Sequence, residues 1–104
     1  EYDDVHLVAF DVRNNIIAYL CLTPVDAERV KMRQVAVAPA WQGKGVGKQL
    51  VAASERLARD MGFTRMTLHA RETAVPFYLQ LGYHTVGERF EEVTIPHFAM
   101  EKAL

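Results

Sequence analysis

The sequence predicts an α/β domain of the α+β kind: a mixed, mostly antiparallel open sheet with a central right-handed β-α-β crossover. Three observations carry the prediction. Apolar strand-like runs stand in pairs towards both ends of the chain; one long amphipathic segment, Val46 to Met61, lies between two such runs in the middle; and a glycine-rich stretch, Gln42-Gly43-Lys44-Gly45-Val46-Gly47-Lys48, leads into that segment. With 104 residues and no internal repeat or linker, residues 1–104 read as a single domain. Folding of a chain this size buries about 65% of the surface exposed by the unfolded chain, enough for a modest core.

Val5 to Phe10 and Ile16 to Leu22 read as two strands joined by Asp11-Val12-Arg13-Asn14-Asn15, where either asparagine can adopt the left-handed turn conformation. Thr23 to Arg29, with Pro24 and Asp26, reads as a loop. Val30 to Val37 is the third strand, and its alternation slips. Val30 and Met32 would put Gln34 and Ala36 on the apolar face, yet the larger apolar residues are Val35 and Val37, so a β-bulge is expected around Gln34.

In the long helix, Val46, Leu50, Ala53, Ser54, Leu57 and Met61 recur at helical spacing. Lys48, Gln49, Glu55, Arg56, Arg59 and Asp60 take the other face, and Gly62 stands at the C-cap position. Phe63 to Ala70 follows as a strand whose regular part begins near Arg65. Thr73 to Leu81 is a short helix: Thr73 can cap it, Pro76 is tolerated in its first turn and Gly82 stops it. Tyr83 to Glu88 and His97 to Lys102 are the last strands. The connection between them, Arg89 to Pro96, is long for a hairpin and so a candidate functional loop. The order ββ-β-α-β-α-β-β makes the strands on either side of the long helix parallel neighbours, with a right-handed crossover.

Composition narrows the function. Hydrophobic residues make up 50% of the chain and charged residues 24%, the mix of an ordinary soluble domain, and no apolar run is long enough to cross a bilayer. A cytoplasmic location without a membrane partner is expected. Twelve basic residues against thirteen acidic ones give a net charge of −1, with the basic residues scattered singly, so no nucleic-acid surface is expected. A small molecule or a protein fits better as substrate. Cys21 is the one cysteine and lies in an apolar run, the setting of a buried, inert thiol. His6, His69 and His84 stand singly, without metal-ligand spacing, and no metal site is expected.

The glycine-rich stretch joins an apolar strand, Val35-Ala36-Val37, to a helix that opens without a Ser, Thr, Asp or Asn cap. Several backbone N–H groups are thereby left without a partner inside the helix. With the helix dipole behind them and Lys44 and Lys48 beside them, they form an anion cradle. A Walker loop does not fit, since Gln42 stands at its first glycine and Gln49 at its hydroxyl position. A dinucleotide fingerprint starting at Gly43 would need glycine at Lys48, and no further parallel βαβ unit follows.

What the letters match is Q/R-x-x-G-x-G/A after a Val-x-Val strand, and here the sequence resembles the GNAT superfamily of N-acetyltransferases. Ala74-Val75-Pro76-Phe77-Tyr78-Leu79-Gln80-Leu81-Gly82-Tyr83 resembles a second signature of that family, A-x-x-F-Y-x-x-L-G-F/Y, at the expected distance. The resemblance implies acetyl-coenzyme A as co-substrate. It implies that Val35, Ala36 and Val37 offer main-chain groups to the pantetheine arm, that Gln42, Gly43, Lys44, Gly45, Val46, Gly47 and Lys48 hold the pyrophosphate, and that Phe77 and Tyr78 lie along the thioester. Tyr78 is then the general acid that protonates the departing thiolate. The acceptor is a primary amine of a small molecule or peptide, and His97, Glu72, Glu91, Glu92 or a water chain is its base. Arg71 stands where the family often shows a polar amide. Family members usually carry another strand and two helices before the first hairpin. The given sequence begins almost at that hairpin: either it is a fragment, or part of the N-terminus is missing, or a second chain supplies the wall, and a fold lacking those elements and a homodimer are expected. The alternative is a non-catalytic acyl-coenzyme A binding module, regulatory or a scaffold.

Overall fold

A computed structural model describes residues 3–104. The strands are β1 (Val5–Phe10), β2 (Ile16–Pro24), β3 (Arg29–Val37), β4 (Arg65–Arg71), β5 (His84–Glu92) and β6 (Ile95–Ala103); the helices are α1 (Val46–Asp60) and α2 (Val75–Gln80). All six strands form one sheet in the order β1-β2-β3-β4-β6-β5. Every neighbouring pair is antiparallel except β3 and β4, which are parallel and joined through α1.

Local chemistry accounts for most element ends. In the first turn Asp11 Oδ1 accepts from the N–H groups of Arg13 and Asn15 at 2.8 and 2.9 Å, and Asn14 takes the left-handed conformation with φ 65°. Both helices end in the same way. Phe63 N–H reaches Ala58 O and Gly62 N–H reaches Arg59 O after α1; Tyr83 N–H reaches Tyr78 O and Gly82 N–H reaches Leu79 O after α2. In each case the glycine supplies the positive φ that this double closure requires, 95° at Gly62 and 93° at Gly82.

The core lies between the sheet and α1, which packs over β1, β2 and β3. Leu20, Leu22, Val30, Met66, Leu68 and Met100 from the sheet meet Leu50, Val51 and Ala58 from the helix, all buried. Each large aliphatic side chain contributes about 1.5–3 kcal/mol on full burial. Cys21 is buried, with Sγ 3.9 Å from Thr23 Oγ1.

The bulge expected near Gln34 is present. Tyr19 pairs with Ala36 and Cys21 with Arg33, so β3 spends one more residue than β2 over that interval, and Gln34 has φ 57°. The consequence reaches the centre of the sheet. β3 and β4 pair only from Arg29↔Arg65 to Met32↔Leu68, whereas β2–β3 pairing continues to Val37 and β4–β6 pairing to Arg71. Beyond Met32 and Leu68 the two central strands part, leaving a wedge.

Four expectations are corrected. The loop Thr23 to Arg29 is shorter, because β2 runs to Pro24 and β3 starts at Arg29, with Asp26 Oδ1 accepting from Glu28 and Arg29 N–H. Arg89 to Pro96 is not a long loop. β5 and β6 continue to a two-residue turn, Val93-Thr94, with φ 51° and 60°, and the ladder slips between Val86 and Phe90 around Gly87. Thr73 makes no side-chain cap and lies in a 3-10 turn, Glu72–Ala74, ahead of α2. Glu55, assigned to the polar face of α1, is buried. Its carboxylate accepts from Tyr83 Oη at 2.8 Å and from Lys102 Nζ at 3.0 Å, while Lys102 Nζ also donates to Leu81 O at 2.8 Å.

Candidate active site

Two cavities open at the wedge, one within it and one beside it. The smaller, about 300 Å³, lies between the end of β3, the opening of α1 and α2, and is lined by Val35, Val37, Gln42, Gly43, Gly45, Val46, Gly47, Lys48 and Phe77, with Trp41 at its edge. Of the cofactor residues expected from the sequence it thus gathers all but Ala36 and Lys44. Ala36 pairs with Tyr19, and its side chain lies outside both cavities. Lys44 Nζ stands 5.5 Å from the centroid of the Trp41 ring, a cation–π contact with a residue that lines the cavity.

The loop has the character of a backbone cradle. Gln42 Nε2 donates to Val37 O at 3.0 Å and ties the loop to the strand end. Gly45 occupies the N-cap of α1 with φ 83°, and no side chain caps the helix, so its first N–H groups remain free of side-chain partners. Gly47 differs from Gly43 and Gly45: a Cβ there would meet Val37 Cγ2 at 3.4 Å and Phe77 Cζ at 3.6 Å, ordinary contact distances that show the helix start packed against β3 and α2.

The larger cavity, about 530 Å³, fills the wedge itself. β3 supplies Lys31, Arg33 and Gln34 to its walls, β4 supplies His69 and Arg71, and the β5–β6 hairpin supplies Glu92 and His97. Val35, Ala74 and Tyr78 line both cavities. Tyr78 is 7% exposed, with edge contacts to Phe77 and Tyr83 at 5.0 and 5.7 Å between ring centroids. Its hydroxyl has no hydrogen-bond partner among the described residues, and burial pushes the phenol above its ordinary pKa of 10.

Of the expected bases, the structure brings His97 and Glu92 to the cavity. Glu72 instead lies 3.5 Å from Arg89, and neither it nor Glu91 lines the wedge. His97 is buried, with Nδ1 2.8 Å from Ile95 O. A carbonyl can only accept, so that nitrogen carries hydrogen and the neutral ring keeps its lone pair on Nε2. Nε2 lies 3.6 Å from Glu92 Oε1, and Glu92 Oε2 lies 3.7 Å from His69 Nδ1. Phe90 packs against both rings, stacked on His97 and edge-on to His69. Sequence reasoning missed Trp41, Lys31, Arg33 and His69 as cavity residues. Trp41 had a signal in its place directly before Gln42. The other three depend on the register of β3 against β4, which no local pattern announces.

The family model for the acetyltransferase (GNAT) domain matches residues 1–104. The chain belongs to the GNAT acetyltransferase family. Among its relatives, a Bacillus subtilis (strain 168) protein named as an acetyltransferase is 32% identical over 109 residues, covering 98% of this chain and 74% of that protein. Two crystal structures share the GNAT architecture. An N-acetyltransferase from Lactobacillus plantarum superposes with a TM-score of 0.92 at 30% identity, over 95% of this chain and 68% of that one. An acyl-CoA N-acyltransferase from Pseudomonas aeruginosa superposes with a TM-score of 0.87 at 28% identity, over 99% of this chain and 70% of that one.

Proposed function

We propose that this GNAT protein transfers an acetyl group from acetyl-coenzyme A to a primary amine of a small molecule or peptide, by direct attack within a ternary complex. The observation that carries the reading is Tyr78, which lines both cavities and whose hydroxyl has no hydrogen-bond partner among the described residues. The smaller cavity suits the cofactor: Val35, Ala36 and Val37 offer strand backbone to the pantetheine arm, Gln42 to Lys48 the cradle for the pyrophosphate, and Phe77 an apolar wall. The larger cavity takes the amine.

The acceptor must be neutral to attack. For a lysine-like amine of pKa about 10.4, deprotonation at pH 7 costs about 4.6 kcal/mol, and for a terminal α-amine only about 1 to 1.4 kcal/mol. His97 Nε2 accepts a proton from the acceptor nitrogen as the N–C bond forms. The C–S bond then breaks, and the Tyr78 hydroxyl gives its proton to the departing sulfur. The raised pKa of Tyr78 keeps that proton in place at neutral pH. Both groups return to their starting states by exchange with solvent.

Tyr78→Phe is the direct test. Because the hydroxyl has no partner among the described residues, its loss orphans no buried group there. Turnover, followed as thiol release, should fall by about 10²- to 10⁴-fold while acetyl-coenzyme A affinity stays within about threefold. Equal turnover in the variant removes Tyr78 from the mechanism. The reading also takes the protein as cytoplasmic and as a homodimer. A fully active monomer in sedimentation at micromolar concentration would rule the dimer out.

A further inference from the structure

Charges in the wedge cavity are lopsided. Lys31, Arg33 and Arg71 line it from β3 and β4, and Glu92 is the one carboxylate among its walls. None of the three cations forms an ion pair among the described residues, whereas Arg29, Arg65 and Arg89 each do. Arg33 reaches only the Thr23 hydroxyl, at 3.3 Å, and Lys31 only the His69 ring, at 3.5 Å. An excess of two positive charges thus faces one cavity of a chain whose net charge is −1, so it does not reflect a generally basic surface. The cations come from the parting strands β3 and β4 and Glu92 from the β5–β6 hairpin, with Arg71 directly opposite His97 in the β4–β6 ladder.

We infer that the acceptor is an amino acid-like amine carrying its own carboxylate, with Arg33 and Arg71 available to that carboxylate and Glu92 and His97 to the amine. This inference rests on the acetyltransferase reading. Guanidinium groups match a carboxylate with paired N–H donors, and Arg33 and Arg71 both line the cavity with no ion-pair partner among the described residues. Glu92 attracts the ammonium of the incoming acceptor beside His97; one proton passes to solvent to give the neutral amine, and His97 Nε2 takes the second as the N–C bond forms. A polyamine or a lysine-rich peptide would instead set further ammonium groups against three cations, a like-charge arrangement that rejects such acceptors.

The test separates binding from transfer. With coenzyme A saturating, a panel of L-amino acids, the corresponding L-amino acid amides and putrescine is titrated calorimetrically into the protein. The expected result is that the best acid binds at least tenfold more tightly than its own amide and than putrescine. In Arg33→Gln/Arg71→Gln that ratio falls to within about threefold. The inference is overturned if no acid binds more tightly than its amide, if putrescine binds as well as the best acid, or if the double variant keeps the ratio. Transfer is read separately by thiol release with acetyl-coenzyme A. Absence of release with every acceptor, at demonstrated acetyl-coenzyme A binding, refutes the acetyltransferase reading, while the binding ratio still decides the charge preference.

Discussion

Lys102→Met would strip the ammonium from a buried cluster that ties three elements together. Lys102 reaches from β6 to the Glu55 carboxylate on α1 and to the Leu81 carbonyl at the end of α2, while Tyr83 Oη donates to the same carboxylate. The Glu55 side chain is 7% exposed and that of Lys102 25%, so solvent screens this pair little. Breaking a buried pair by removing one partner typically costs 3–5 kcal/mol, because the remaining charge is stranded. The low end applies here, about 3 kcal/mol, since Tyr83 still satisfies one carboxylate oxygen and methionine retains most of the stem's packing. For a domain of this length that loss lowers the melting temperature by about 12–24 °C. Glu55→Gln/Lys102→Met leaves no stranded charge and keeps an acceptor for Tyr83, so it should recover about 1–2 kcal/mol over the single variant. Urea unfolding with unchanged m-values measures both. A single variant within about 1 kcal/mol of the parent protein, or a double variant no more stable than the single one, would refute the claim that the cluster holds α1, α2 and β6 together.

Two further outcomes are expected. Gly45→Ala forces a side chain into the left-handed region at φ 83° although no atom lies within 4 Å of the added Cβ; the strain should cost about 1–2 kcal/mol in urea unfolding and weaken acetyl-coenzyme A binding by tilting the cradle. Hydrogen bonds from the Glu28 and Arg29 backbone hold the Asp26 carboxyl below its ordinary pKa of 3.8, and those from Asn15 and Arg13 do the same for Asp11. Folded-state pKa values depressed in this way add stability that is complete above about pH 4 and is lost as pH falls through the lower folded values. Stability measured from pH 5 to pH 2 should therefore decline, with a shallower decline in Asp26→Asn; an unchanged slope would show that the turn is held by other means.

Features governed by a few neighbouring residues were legible in the sequence. The bulge at Gln34 showed as a slip in alternation, the end of each helix as a single glycine, and the cradle as three glycines without a capping side chain. The motif singled out Phe77 and Tyr78, and both lie on α2 and line the smaller cavity. Features governed by distant partners were not legible. Glu55 carries a polar letter and reads as exposed; its partner Lys102 lies 47 positions away, and only the packed structure brings them together. The Val93-Thr94 turn was missed for a different reason. Two β-branched residues with positive φ are the reverse of turn chemistry, so the strands on either side looked shorter than they are. Lys31, Arg33 and His69 became cavity walls only once the β3–β4 register was known.

If the proposed cofactor binds in the gap left by the early parting of β3 and β4, ligand supply is linked to the amount of folded protein. An interrupted ladder at a sheet's rim is met by water, but here the interruption lies at the centre, beside Tyr78. A cofactor arm bound along β3 would occupy part of that gap and would be bound by the folded chain alone. Such a ligand at a hundred times its dissociation constant adds about 2.7 kcal/mol to stability, a large fraction of what a domain of this size possesses. In a cell, the steady-state level of this chain would then rise and fall with the pool of acyl-coenzyme A, quite apart from any acetyl group it transfers.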